Sequence, residues 1–429
     1  MKEKAFSKNL FVALYYIALI AIFMTWTNYD DVPDRSLRIG FFVLMIIPLI
    51  IRTELLPIVF TFFYSLGQYA YSSSYVPMEF LVYLLPSLFL LFFVDKSKRL
   101  IIPLILFLLL SLVTIANLLD ASEIQYVTYC LILTIIYSQF IPLKDHSYLK
   151  YLLLSYVVLS VILSYYQLTV GTEYNFNVTI YGTNTEQSGF KDINYGAAVV
   201  ACGIICSLIY LIVYASSLTK KLLCVASMIV CVFSLVINAS RNSLLIVILA
   251  VLFLLWFAKV RSFYKILAIA IATIIVYYIY SEGFTDYLLF RIENDEGGGS
   301  ERTIIWLSKL EAFLENSDFP HLLFGYGYES GRHIGFDNAA HNDFVAFLLA
   351  YGFVGLSLFL AFFFYPLVKM VYNKKYVILI YIALFLCSMT LEPLNAGRLP
   401  FYIMWLMALY IGQVQITPND YEQKKSFIG

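Results

Sequence analysis

Residues 281–343 read SEGFTDYLLFRIENDEGGGSERTIIWLSKLEAFLENSDFPHLLFGYGYESGRHIGFDNAAHND, the one long polar stretch in a chain that is otherwise almost wholly apolar. The runs on either side have the length and hydrophobicity of membrane spans, so this stretch reads as a large loop held by a membrane scaffold. Its opening part is acidic and glycine-rich without apolar periodicity, and Gly297, Gly298 and Gly299 suit a flexible hinge. In ERTIIWLSKLEAFLE, Ile304, Ile305, Leu307, Leu310, Phe313 and Leu314 recur at helical spacing, Ser300 is placed to cap, and Glu301 suits the positive helix start. Asn316 to Pro320 ends that helix. GYGYESGRHIGFDNAAHND then reads as a turn-rich loop before the chain re-enters the membrane at AHNDFVAFLLAYGFVGLSLFLAFFF.

The composition agrees. Of 429 residues, 61% are hydrophobic, 18% aromatic and 13% charged, more apolar surface than a soluble fold of this size could bury. The expected fold class is an all-α polytopic membrane protein. A net charge of +0 leaves no basic stripe to neutralise phosphates in series, which argues against nucleic acid as a partner. The six cysteines, Cys130, Cys202, Cys206, Cys224, Cys231 and Cys387, lie in apolar runs and read as reduced packing residues.

Lys2, Lys4 and Lys8 precede an apolar run from Leu10 that lacks a small-residue cleavage site and so reads as a retained first span. Apolar segments follow at about 39–51, 54–71, 80–94, 100–117, 124–141, 151–168, 193–214, 222–238, 243–258, 264–280, 341–364, 376–391 and 399–413. The expectation is 12 to 14 spans in three parts: 1–280 with an outer loop at 169–192, the large loop at 281–340, and 341–429 with a short tail. Lysine and arginine divide nineteen to nine between alternate sides, which places both termini in the cytoplasm and the large loop outside. The outer nine are mostly arginine, the better bidentate partner for phosphate oxygens.

Two smaller outer features accompany the loop. TEYNFNVTIYGTNTEQSGFKDINYG alternates Phe176, Val178 and Ile180 with Asn175, Asn177 and Thr179 as a short strand would; it suits sugar faces and hydroxyls, or equally a solvated hairpin. LEPLNAGRLP, residues 391–400, marks a tight outer turn carrying Glu392, Asn395 and Arg398.

Arg241, in INASRNSLL, sits at the outer boundary between two apolar runs, where a cation either reaches up to headgroups or binds an anion. Arg302 lies in the first turn of the loop helix, with Trp306 and Lys309 following on the same face; a helix start beside an arginine is a good oxyanion site, and a solvated polar face is the other reading. Arg291, Arg332 and Arg398 are weaker candidates. His341 opens a span, where the macrodipole and nearby arginines disfavour the imidazolium while Asp337 and Asp343 favour it. A neutral histidine there can accept a proton, or simply hydrogen-bond to backbone. The spacing of His321, His333 and His341 matches no zinc site, so no metal is assigned.

Three blocks in order carry a resemblance: the Ser-Arg of NASRNSLL at the head of a span, the Arg-x-x-x-Trp of SERTIIW in the large loop, and HNDFVAFLLAYGFVGL leading into the next span. Together they resemble the O-antigen polymerase and ligase superfamily over roughly residues 190–365, most closely a polymerase; the amino-terminal half is similar only in hydropathy and span count. The resemblance implies a GT-C-like, metal-independent, inverting membrane glycosyltransferase that needs no cofactor. Its donor would be an oligosaccharide on undecaprenyl diphosphate, used at the periplasmic face of the bacterial inner membrane. By that resemblance Arg241 and Arg302, with Arg291, would bind the diphosphate, and His341 would orient or deprotonate the acceptor hydroxyl. Asn342, Trp306, Arg332 and Arg398 would contact acceptor or sugar, and a polysaccharide chain-length regulator would be a further partner. The other functions weighed are ligation of the polysaccharide to lipid A core and flipping or transport of a lipid-linked oligosaccharide.

Overall fold

A computed structural model of the chain describes residues 147–166, 193–237, 240–257, 302–327, 340–394 and 399–413, with isolated positions elsewhere. The expected spans before residue 147, the hinge at Gly297–Gly299, the cap at Ser300 and the strand at 175–180 lie outside the described residues, as do Arg291, Arg332, Asp337 and Arg398. The described residues are helical, with no strand among them. In chain order they form α1 (Ser147–Tyr166), α2 (Ile193–Val213), α3 (Leu218–Ile237), α4 (Arg241–Phe257), α5 (Arg302–Asn316), α6 (Phe319–Phe324), α7 (Asp343–Lys369), α8 (Lys374–Thr390) and α9 (Leu399–Gln413). The bundle helices fall within a few residues of the spans read from hydropathy. α2, α3 and α7 are long and apolar enough to cross a membrane, and α1, α4 and α9 are shorter apolar helices. This is an all-α membrane protein.

α2 is the centre of the bundle, packed against α1, α3, α4, α8 and α9. Small residues make that possible: a Cβ on Gly203 would fall 1.4 Å from the Ser160 Oγ of α1 and 3.0 Å from the Tyr156 carbonyl oxygen. Close backbone approach over small residues is how membrane helices gain van der Waals contact where hydrophobicity cannot drive them together. On α3 and α4 the large apolar residues Leu222, Leu223, Ile229, Ile248, Leu252 and Trp256 face outward, as lipid-facing helices do. Cys202, Cys206, Cys224, Cys231 and Cys387 are free and buried, as expected of packing cysteines, and Cys130 lies outside the described residues.

Pro366 lies inside α7 and has no N–H to give the Phe362 carbonyl. The indole Nε1 of Trp405 on α9 donates to that carbonyl and to the one at Phe363, both at 3.1 Å, and the Tyr381 hydroxyl of α8 also donates to Phe363. Backbone groups opened by a proline inside a span are thereby satisfied by neighbouring helices.

The two ends of the bundle differ. One gathers the start of α2, the end of α8 and the starts of α7 and α9: the Tyr195 hydroxyl donates to the Leu391 carbonyl, the Leu394 N–H to the Asp343 carboxylate, and the Tyr402 hydroxyl to the Leu394 carbonyl. A three-residue link after α3 returns the chain at this end, so Arg241 belongs to it as well. At the other end, Val371 and Tyr372 donate to the Gly412 carbonyl, beside Lys369, Lys374 and Lys375, and α3 opens on exposed Lys220 and Lys221.

The loop adds structure that its turn-rich sequence did not suggest. A second helix, α6, follows α5 after two residues, capped by Asp318, whose carboxylate accepts from the His321 N–H at 3.0 Å. α6 packs against α7 where α7 is broken: Gly352 has φ 65 and ψ −167. The break frees the Leu349 and Ala350 carbonyls, which accept from Tyr326 N–H at 3.0 Å and Gly327 N–H at 2.9 Å. Gly325, with φ 75, meets the same place from the other side. A Cβ there would lie 2.4 Å from the Ala350 carbonyl group, and one on Gly352 would lie 2.3 Å from the Leu323 carbonyl carbon. Two glycines in a backbone region open essentially to glycine alone thus stitch the loop to the span. A small core of Phe313, Ile334, Ala340, Val345, Leu348 and Leu349 closes the contact.

Candidate functional site

The residues singled out in the loop meet at one end of the bundle. α5 turns a single face inward, and each member of that face is engaged. Arg302 donates from a guanidinium nitrogen to the Thr390 carbonyl at 2.7 Å, tying the first turn of α5 to the last residue of α8. One helical turn on, Trp306 donates from its indole to the Ala340 carbonyl at 2.8 Å, next to His341. Lys309 is only 1% exposed, and Phe313 is fully buried. The face that could have been solvated is therefore the docked one.

Lys309 carries an unusual charge inward for a loop helix. Burial pushes its ammonium below the ordinary lysine value, and the Glu392 carboxylate opposes that shift. Glu392 itself sits at φ 50, a left-handed position rare for a residue with a side chain, in the 391–394 turn that also receives Tyr195 and supplies Leu394 to Asp343. The sequence marked this turn by its prolines and glycine; the pairing of its acidic residue with Lys309 had no signal, because the two are far apart in the chain.

The His341-Asn342-Asp343 run makes the opposite wall. Asn342 caps α7, its Oδ1 accepting from Phe344 N–H at 2.9 Å and Val345 N–H at 3.2 Å. Asp343 is fully buried and holds the 391–394 turn through Leu394 N–H at 3.0 Å. His341, just before the cap, is half-buried with φ 51. Strained left-handed backbone at a non-glycine residue persists only where its surroundings over-determine it, and such residues cluster at functional sites. Here the Ala340 carbonyl is held by Trp306 on one side and the α7 cap is fixed on the other, so the imidazole is presented from a rigid corner.

Arg241 is the half-buried first residue of α4, with a Ser240 to Ser243 hydroxyl hydrogen bond of 2.9 Å beneath it. α4 packs against α8, whose outer end binds Arg302, so both arginines stand at the same end of the bundle. Between α1 and α9, every described basic residue at the opposite end is a lysine. The end shared by Arg241, Arg302, Trp306, His341 and Asn342 can thus bind an anion and present a proton acceptor beside it.

A family model described as O-antigen ligase matches residues 226–360, about a third of the chain. That interval runs from within α3 through α4, α5 and α6 to within α7, and contains Arg241, Arg302 and His341. No curated protein and no solved structure matches the chain. The chain therefore carries, at residues 226–360, a domain of the O-antigen ligase family, in agreement with the superfamily that its three motifs resemble.

Proposed function

We propose that this protein is a glycosyltransferase that moves a glycan from undecaprenyl diphosphate to the hydroxyl of a lipid-linked repeat unit, as an O-antigen polymerase, at the periplasmic face of the inner membrane. The observation that carries the reading is the gathering of Arg302, Trp306 and the His341–Asp343 corner around the end of α8, with Arg241 at the same end of the bundle. Guanidinium groups are suited to a diphosphate, and Arg302 is pre-oriented by the Thr390 carbonyl rather than left to search rotamers.

In this mechanism the acceptor hydroxyl oxygen attacks the anomeric carbon of the donor from the side opposite the diphosphate. The new glycosidic bond forms as the bond to the diphosphate oxygen breaks, with inversion. His341 takes the hydroxyl proton, and Arg241 and Arg302, with Arg291, stabilise the charge that collects on the departing undecaprenyl diphosphate. Trp306, Asn342, Arg332 and Arg398 border acceptor and sugar. Arginines do here what a divalent metal does in other phosphate-leaving reactions, so no cofactor is required.

Ligation to lipid A core is the second reading, favoured by the description of the matching family. Polymerase is preferred because the likeness is confined to short motifs, as in the branch whose repeat units vary most. A flippase would place charges along a path through the bundle, whereas charges on the described bundle helices stand near helix ends. The lysine-rich opposite end supports cytoplasmic termini.

The test incubates purified protein with its host's undecaprenyl-diphosphate-linked repeat unit, without divalent metal, beside the His341→Ala variant. A ladder of lengthening chains from the unsubstituted protein alone is the expected product on a gel. Transfer only when lipid A core is supplied would make the protein a ligase, and no transfer with either authentic acceptor would refute the enzymatic reading.

A further inference from the structure

The α5–α6 hairpin sits at a depth that the helices define. α7 ends on Lys369, close to Lys374 and Lys375. Counted back from Lys369, about 20 helical residues at about 1.5 Å each cover the roughly 30 Å hydrocarbon core and reach Leu349 and Ala350. Those are the residues whose carbonyls accept from Tyr326 and Gly327, beside the glycine contact that seats α6. A second, independent count agrees. α8 has 17 residues from Lys374 to Thr390, a rise of about 25 Å, and its last carbonyl receives Arg302 at the start of α5. Both ends of the hairpin are thus within about a turn of the outer hydrocarbon boundary, so it runs along that boundary instead of standing off into water.

At this depth the hairpin shows apolar side chains outward. Phe319 is 72% and Phe324 42% exposed on α6, and Ile304, Leu307 and Leu314, on the face of α5 opposite Lys309 and Phe313, are exposed too. Five large apolar side chains on a short element in water would be a patch that soluble surfaces avoid. At a membrane boundary they are what an interfacial helix buries. Glu311 and Glu315 on the outer side of α5 hold the element at headgroup level.

We propose that the α5–α6 hairpin is an interfacial element whose Phe319 and Phe324 insert among the acyl chains of the outer leaflet of the bilayer that the spans cross. The glycine contact at 325 and 352 sets its depth, and the hairpin thereby holds Arg302 and Trp306 at the level of lipid headgroups. This placement is independent of the enzymatic reading and survives its failure.

The test spin-labels Phe319→Cys and Phe324→Cys in the full chain, reconstituted in phosphatidylethanolamine–phosphatidylglycerol vesicles, and compares collisions with oxygen and with a water-soluble nickel chelate. Ile248→Cys, on the outward face of α4 at mid-span, is the hydrocarbon reference, and Lys220→Cys is the water reference; labelling of the unsubstituted chain is subtracted. Oxygen collisions exceeding chelate collisions at 319 and 324, at a depth between the two references, is the expected result. Chelate collisions as frequent as at 220 at either position overturn the proposal. Should the cysteine variants fail to fold, Phe319→Trp in vesicles with brominated acyl chains decides it: loss of the added fluorescence supports insertion, and unchanged emission refutes it.

Discussion

Substituting Gly352 by alanine should detach the loop hairpin from the span. The residue sits at φ 65 and ψ −167, where a side chain costs roughly 1 to 3 kcal/mol. Its Cβ would also stand 2.3 Å from the Leu323 carbonyl carbon, so α6 must move away. Movement breaks the hydrogen bonds from Tyr326 and Gly327 to Leu349 and Ala350, worth about 1 kcal/mol each. The same two carbonyls are the ones that Phe353 and Val354 N–H would claim if α7 ran on without a break, since helical bonds join residues four apart. Alanine therefore penalises the broken helix and favours the healed one. The total, roughly 3 to 5 kcal/mol, should speed amide exchange at Tyr326 and Gly327 by at least about a hundredfold at about 1.4 kcal/mol per decade. Hydrogen–deuterium exchange of peptides covering 319–327 and 349–355 in reconstituted protein measures both sides: the first should lose protection while the second gains it. Gly325→Ala should act alike, and the double variant should be little worse than either, because one displacement relieves both clashes. Unchanged protection at 326 and 327, or strictly additive effects of the two alanines, would refute the reasoning.

Three further outcomes follow from the same geometry. His341→Gly keeps the left-handed backbone without strain and removes only the imidazole, so it should insert and cap α7 normally yet lose glycan transfer; near-normal product on a gel would remove the assigned base. Lys309→Met should leave Glu392 facing a dry neighbour and loosen α5, read as faster proteolysis within 302–316, and adding Glu392→Gln should recover part of the loss because the remaining charge is gone; an additive double variant would show that the two are not paired. Asp318 has its carboxyl held below the ordinary value, first by the His321 backbone N–H and then by its imidazole. Its share of α6 stability is therefore present above the unfolded carboxyl pKa of 3.8 and lost as pH falls through the lower folded value, so exchange protection of α6 should drop there in the unsubstituted chain and not in Asp318→Asn.

The sequence by itself determined the class of fold, because apolar runs near 20 residues with lysines at alternate ends have few stable arrangements other than membrane helices. It also placed the described spans closely, with 399–413 matching α9 and 193–214 matching α2 to a residue. The loop helix was legible from its periodicity, and so were Arg241, Arg302 and His341 as the residues to watch, since charge is conspicuous in so apolar a chain. α6 was not legible, being six residues long and hidden among turn-forming residues, with no periodicity to detect.

Which way α5 faces was decided only by tertiary structure. Its apolar residues Ile304, Leu307 and Leu314 point outward while Lys309 is buried, the reverse of what amphipathicity in water predicts, because the medium outside is lipid at one depth and water at another. The break at Gly352 was equally invisible, since a glycine in an apolar run is ordinary in a membrane helix. Only the arrival of Gly325 and the Tyr326–Gly327 backbone makes an open helix more stable there than a closed one. The pairing of Lys309 with Glu392, and of Arg302 with the Thr390 carbonyl, joins residues more than eighty positions apart. Local sequence fixes which segments are helical and apolar; contacts of that separation arise from how helices pack, and it is those contacts that assemble the site.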